Sequence, residues 1–438
     1  MPLFPQAPLR ALSLLPLAIC ITLSTLPVAA QNAATTRSPL PAAASAHASL
    51  AITEAFQLAL AQQPWTRAAS ERQREQQARE ALADSWLSDS PTIATGLKTG
   101  SRDGLRELEI EIAAPIASPA RRSLQLASVR GESAVYTANL AELALKLAGE
   151  VRDAYWAVQL TAGEMALADD EVNRAERVAA DSARRTAAGE SARVDTLQAE
   201  LTVQTLRATR VEAVQRVNAA RHVLRGLIGD AANLALTDVT ETIGSDAPGA
   251  LNDHPSLRLA GQSAQLARAK LNEASTLTQG APTVSFALTH ERSNASLGSS
   301  NSNGGNGSSN ASTARIGVSF PFGGTQRATP RIRQAGAELA EAQASVPLLR
   351  RQLEAVAASA QAAVVNAEQR IDVLTERARL AHEVATLYAK AFRFGELDLP
   401  TLLRAEGERM SANLALNRAR VERKHAISRV NQSLGLLP

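Results

Sequence analysis

The stretch LRELEIEIAAPI, residues 105–116, alternates Leu108, Ile110 and Ile112 with Glu107, Glu109 and Glu111. An extended chain points successive side chains to opposite faces, so this segment is apolar on one side and charged on the other. Three more segments share the habit. SPTIATGLKTG (90–100) leads through SRDG (101–104) into the first, and TVSFALTHE (283–291) and ARIGVSFPF (314–322) form a second pair. In that pair Val284, Phe286 and Leu288 oppose Ser285, Ala287 and Thr289, while Ile316, Val318 and Phe320 oppose Arg315, Gly317 and Ser319. About ten such residues suit a tilted membrane strand with apolar side chains toward lipid and polar ones toward a lumen. A soluble sheet with one wet face is the other reading, but four such strands in an exported, otherwise helical chain favour the membrane.

The two strand hairpins belong to an internal repeat. Pro64 and Pro91 recur as Pro255 and Pro282, an offset of 191 residues, and Pro115 recurs as Pro321, an offset of 206. The second offset also relates GESARVDTLQAE at 189 to GELDLPTLLRAE at 395, and Gly229 to Gly435. The tract SNASLGSSNSNGGNGSSNAS (293–312) accounts for the difference and is read as a loop insertion, too polar and too rich in Gly and Ser to pack a core. The first repeat spans residues 49–235, with strands at about 90–116, and the second spans 248–438, with strands at about 282–322.

Between the hairpins the spacing predicts helix. Residues 117–188 and 323–394 form one long helix per copy, in which Leu140, Leu143, Leu147, Val151, Ala154 and Val158 repeat at intervals of three or four. Val346, Leu349, Leu353, Ala357, Ala360 and Val364 keep that seam 206 residues later. Shorter helical pieces at 50–88 and 190–229, and at 250–280 and 396–435, are expected to lie antiparallel to the long ones. The fold class is therefore mainly α with a small membrane β part: a twofold repeat of long helical hairpins carrying four β-strands.

Composition agrees with an elongated molecule. The 438 residues are 45% hydrophobic but only 3% aromatic, which suits thin helical layers better than a thick core. Residues 1–30 read as a signal peptide: Arg10 precedes the apolar run ALSLLPLAICITLSTL, and small residues at Val28 and Ala30 place cleavage before Gln31. A membrane anchor is the alternative, but Pro16 interrupts the run, and a spanning helix needs roughly 20 residues. Residues 31–48 follow as a flexible linker. Cys20 is the sole cysteine and lies inside the signal, so the mature chain can form no disulfide. Lipid modification of Cys20 competes with that reading, although Ile19 is larger than the residue usual before a lipidated cysteine. Without Arg10, 45 basic residues face 43 acidic ones, with no dense basic face to hold nucleic acid.

Four strands cannot close a barrel, and open sheet edges are not tolerated in hydrocarbon. Three chains would give twelve strands and a wide lumen, with small residues at the seams letting the helices pack into a ring below. A homotrimer is the expectation.

The twofold repeat, the hairpins at one end, the long helices and the patterns at 189 and 395 resemble the TolC family of outer-membrane efflux channels over about residues 50–438. FGELDLPTLLRAE, residues 394–406, is similar to the CzcC-like branch that serves heavy-metal exporters. The resemblance implies a trimeric twelve-stranded barrel across the cell outer membrane, in contact with outer-membrane lipid, and a helical tunnel in the periplasm. It implies a passive exit duct that meets a periplasmic adaptor and an inner-membrane pump, of RND type, at the helical tip. Heavy-metal cations are the cargo implied by the branch, with drugs, siderophores or secreted proteins as alternatives. At the tip, Gly189 and Asp195 fit the family's turn. In the second copy Gly395 is kept, but Thr401 replaces the aspartate and Arg404 stands where some relatives carry an acidic gate residue. Docking and plain turn chemistry both account for the glycines, because glycine tolerates positive φ at a helix end.

In a barrel, Glu107, Glu109 and Glu111 would face the lumen, with Arg315 on the neighbouring hairpin able to pair with some of them. Such a lumen either favours cations or is merely kept wet. The search for metal ligands is negative: His47, His222, His254, His290, His382 and His425 show no i, i+3 or i, i+4 pairing, and outside the signal the methionines are Met165 and Met410. No catalytic motif, cofactor site or phosphate-binding glycine loop is found, which argues against an enzyme. A periplasmic helical adaptor or scaffold is the rival from another class, but adaptors usually carry a compact β-rich domain, and no strand-rich stretch lies beyond the hairpins.

Overall fold

The computed structural model describes residues 49–438 apart from 101–104, 245–249, 279 and 294–308. The expected signal peptide, Cys20, the 31–48 linker, the SRDG turn and the middle of the Gly/Ser tract lie outside the described residues. The first copy runs β1 (Ser49–Leu50), α1 (Ile52–Gln62), α2 (Pro64–Arg67), α3 (Ala69–Ala83), β2 (Thr92–Thr99), β3 (Arg106–Pro115), α4 (Pro119–Ala188) and α5 (Arg193–Ile228). After β4 (Ala235–Leu236) the second copy follows as α6 (Pro255–Thr276), β5 (Thr283–Ser293), β6 (Ser309–Ser319), α7 (Thr325–Arg393) and α8 (Leu399–Ser433).

The long helices α4 and α7 hold 70 and 69 residues, about 105 Å each at 1.5 Å per residue. Helix α4 begins at a local start signal: Ser118 Oγ accepts from Arg121 N at 3.3 Å, and Pro119 fills the first turn, where no N–H is needed. Both long helices pack antiparallel to the helix that follows them, α4 on α5 and α7 on α8. Among the described residues no helix is long and apolar enough to cross a membrane.

Two expectations need correction. Residues 50–88 are not one helical piece. Pro64 has no N–H to donate and holds Gln63 in an extended conformation (φ −68°, ψ 134°), so the segment breaks into α1, α2 and α3. The Gly/Ser tract is not wholly loop either, because β5 reaches Ser293 and β6 begins at Ser309. Ladder hydrogen bonds use backbone atoms alone, and the polar residues 309–312 thus extend a strand that the apolar alternation does not mark.

The four long strands form one antiparallel sheet in the order β2-β3-β5-β6. The two copies meet in the middle, with Glu109 opposite Thr289 and Ile112 opposite Phe286. Below the sheet, Ile116 N donates to Pro282 O at 2.8 Å and continues the contact toward the helices. A Cβ on Gly280 would come within 2.2 Å of Pro321, so only glycine lets the two segments cross at this junction.

Among the described residues the largest buried cluster surrounds the middle of α4. Tyr155 and Trp156 pack edge to face at 5.4 Å and are buried with Phe56, Val151, Leu224 and Ile228. Their polar atoms are satisfied: Trp156 Nε1 donates to Ser428 Oγ at 2.8 Å, and the Tyr155 hydroxyl lies 2.7 Å from Thr237 O and 3.0 Å from Leu50 O. Tyr155 thereby ties the parallel pair β1 and β4 to the long helix.

Candidate functional site

The two faces of the sheet differ in chemistry and in exposure. Leu108, Ile110 and Ile112 project from β3 at 43–47% exposed, Ile316 from β6 at 77%, and Ile93 and Leu97 from β2 with 72% and 73%. Register puts them in rows: Ile93 beside Ile112, Ile112 beside Phe286, and Phe286 beside Ile316. A contiguous apolar sheet face left open to this degree costs free energy in water at roughly 25 cal/mol per Å², which hydrocarbon would recover.

The opposite face carries Lys98, Glu107, Glu109, Glu111, Glu291 and Arg315. Arg315 Nη2 donates to Glu109 Oε1 at 3.0 Å, joining the second hairpin to the first, and Lys98 Nζ donates to Glu107 Oε2 at 3.3 Å. Glu111 faces Ala94 and Ala287 and has no ion-pair partner among the described residues. The sheet also keeps two outer edges: β2 and β6 end the order and have no further strand beside them among the described residues.

At the far end of the helices, the two tips share one geometry. Gly189 and Gly395 adopt φ of 79° and 78°, and each closes its helix with the same pair of bonds. Gly189 N donates to Thr186 O and Glu190 N to Arg185 O; 206 residues later Gly395 N donates to Phe392 O and Glu396 N to Ala391 O. Asp195 and Thr401 lie half-buried in the first turns of α5 and α8, and Arg404 is exposed one turn on. None of these three side chains has an ion pair or hydrogen bond among the described residues.

Sequence reasoning missed the side chains that bind one copy to the other. At the tip, Arg185 donates to Phe392 O at 2.5 Å and to Arg393 O at 2.7 Å, and its guanidinium lies 4.5 Å above the Phe392 ring. Midway, Arg409 donates from Nη2 to both carboxylate oxygens of Glu171 at 2.8 and 2.7 Å, deep between α4 and α8, and from Nε to the partly exposed Glu406 one turn away at 2.8 Å. Burial works against that charge, but Glu406 and Glu171 outweigh it and hold the guanidinium above its ordinary pKa. Higher still, Arg152 bridges Glu241 at 2.7 Å, Gln432 at 2.6 Å and Leu436 O at 3.0 Å. One signal was available: at the 206-residue offset these arginines face Ala391, Val203 and Ala358, so the charge occurs in one copy only.

Among the described residues no three His, Cys, Asp or Glu side chains converge as a metal site. His425 instead pairs with Asp153 at 2.6 Å. Burial, with Arg429 nearby, lowers its pKa despite the attraction of Asp153.

No protein-family model matches the sequence, and no curated protein matches it. Solved structures do share the fold. The outer-membrane channel OprN superposes with a TM-score of 0.70 at 21% identity, over 88% of this chain and 89% of that one. The outer membrane protein VceC from Vibrio cholerae gives 0.69 at 16% identity, over 88% and 96%. CusC, whose structures concern conformational changes in folding and transmembrane channel formation, gives 0.71 at 14% identity, over 88% and 92%. The chain has the fold of the TolC-family outer-membrane channels.

Proposed function

We propose that this chain is the outer-membrane channel of a tripartite efflux system, a passive duct joined through a periplasmic adaptor to an inner-membrane pump. The observation that carries it is the sheet: apolar outside, charged inside, and open at both β2 and β6. Every strand is antiparallel to its neighbour, so the β6 edge of one copy can accept the β2 edge of the next in the same sense. Three copies then close twelve strands in the cell outer membrane, and the helices continue as a periplasmic tunnel. No chemistry on the cargo is needed.

Heavy-metal cations are the proposed cargo. Support comes from the 394–406 segment and from the polar sheet face, where Glu107, Glu109, Glu111 and Glu291 outnumber Lys98 and Arg315. Selection of the cargo is assigned to pump and adaptor. The tips around Gly189, Asp195, Gly395, Thr401 and Arg404 are the proposed adaptor contact.

The test is biochemical and then genetic. Detergent-purified protein should run as a heat-modifiable trimer, resist sarkosyl extraction from envelopes and conduct in planar bilayers; a soluble periplasmic monomer would reject the channel. Deletion should then sensitise cells to zinc, cobalt, cadmium or copper. Altered tolerance to dyes and antibiotics alone would move the cargo to drugs while leaving the channel in place.

A further inference from the structure

The charges of the sheet are segregated beyond what a wet lumen needs. All four carboxylates of the described strands, Glu107, Glu109, Glu111 and Glu291, lie on the polar face. The apolar face carries none, yet two arginines end it. Arg106 and Arg292 stand directly opposite each other in the β3–β5 register, at the end of the strands away from the helices. Their register neighbours are neutral, Thr99 on β2 and Asn310 on β6. Both arginines are exposed, and neither has an ion pair among the described residues.

Residues directly opposite on antiparallel strands bring their Cβ atoms to about 4.5–5.5 Å, and like charges so placed repel. The next row toward the helices holds Leu108 and His290, the latter 3.0 Å from Ser312 Oγ, and the row after it Ile110 and Leu288. Polar and apolar rows thus succeed one another on a single face, as they would on passing from headgroups into hydrocarbon. A pair of guanidinium forks at that level, with no carboxylate on this face of the described strands to answer them, matches a doubly charged oxyanion, which each fork can hold by two parallel hydrogen bonds.

We infer that Arg106 and Arg292 form a binding site for the phosphate groups of the phosphorylated glycolipid in the outer leaflet. The inference rests on the reading of the sheet as an outer-membrane barrel, which places this end of the strands at the outer surface. Occupation of the site removes the repulsion between the two arginines and fixes the barrel's depth in the membrane.

The experiment uses the delipidated full-length trimer in detergent and three probes: purified lipopolysaccharide, the same glycolipid dephosphorylated, and inorganic phosphate. An Arg106→Gln, Arg292→Gln double variant should lose at least about tenfold in lipopolysaccharide affinity, given the charge-assisted bonds removed. Wild-type protein should bind the dephosphorylated glycolipid as weakly as that variant binds the native one. Millimolar inorganic phosphate should not displace the glycolipid. Should the double variant fail to assemble, Arg106→Lys with Arg292→Lys keeps the charge and should stay within about threefold to fivefold of wild type. Equal lipopolysaccharide affinity in wild type and the glutamine variant, or indifference to dephosphorylation, would overturn the site. Displacement by inorganic phosphate would make it a free-anion site and overturn the glycolipid. Conductance of wild-type trimers in glycolipid-free bilayers is measured alongside; its absence would sink the channel reading instead.

Discussion

The two repeats follow one plan but are covered very differently. Among the described residues α4 exposes no large apolar side chain, because α1, α3, α5, α6 and α8 all pack against it. Helix α7, its counterpart, packs mainly on α8 and α6 and leaves Leu348, Val356, Val365, Val373, Leu380 and Leu387 exposed, at up to 70%. Val373, Leu380 and Leu387, spaced seven residues apart, share one stripe of the helix, whereas the nine-residue step from Val356 to Val365, about two and a half turns, puts those two on opposite sides. The pattern of apolar residues was duplicated, but the neighbours that cover it were not. The first copy builds the chain's core, whereas the second presents a surface suited to the next subunit of the proposed trimer.

The strongest test of that contrast is Trp156, whose place in the second copy is taken by Ala362. Trp156→Ala should cost about 4 kcal/mol, since it opens a cavity in the buried cluster and orphans Ser428. A denaturant melt of the detergent-solubilised protein measures it, and a cost below 1 kcal/mol would deny α4 its central role. Breaking the link between copies comes next. Glu171→Ala should cost about 3 kcal/mol by leaving Arg409 buried with only Glu406. Replacing the pair together, Glu171→Leu with Arg409→Met, should recover most of that loss.

Where the copies are alike, effects should match. Gly189→Ala and Gly395→Ala should each cost about 1–2 kcal/mol, because both sites hold left-handed φ and neither has an atom within 4 Å to clash with. Unequal values would show that one tip is braced by contacts the other lacks.

A smaller effect separates the copies by pH. The first turn of α6 is capped by His254, whose Nδ1 accepts from Ser256 N at 3.2 Å, whereas Gln63 stands before the matching Pro64. Burial lowers the His254 pKa below its ordinary 6.5. The unfolded chain therefore binds the proton first as pH falls, so stability is full above about pH 6.5 and declines below it. Melting temperature against pH should flatten in His254→Asn, which can cap without titrating. Least affected of all should be the stability of a Val373→Asp, Leu380→Asp chain, within about 1 kcal/mol for two exposed sites. Its trimer should nonetheless dissociate in light-scattering measurements, and an intact trimer would reassign the α7 stripe.

Much of this architecture was legible because it is local. Alternation at 105–116 and the recurring three-and-four spacing of Leu147, Val151, Ala154 and Val158 depend only on the geometry of a strand and a helix. The glycines at 189 and 395 were legible for the same reason, since a reversed φ is demanded by the turn itself. Of the candidate site, the opposed faces and the reach of Arg315 to the first hairpin could be read in advance, but its choice of Glu109 required the β3–β5 register. Helix breakage at Pro64 is local too, set by the missing N–H and the extended Gln63, but a reading by apolar period passes over it; the polar start of β6 escaped because it depends on which backbone partners are within reach.

The sequence by itself determined the duplication, the element types and the two-faced strands, all consequences of side-chain direction along a single element. Tertiary structure alone decided that the two hairpins join as β2-β3-β5-β6, that Arg185, Arg152 and Arg409 bridge the copies, and that Arg106 meets Arg292. Those pairings span from 89 to 284 positions of chain. No periodicity encodes such distances, and only the packed backbone brings the partners within reach.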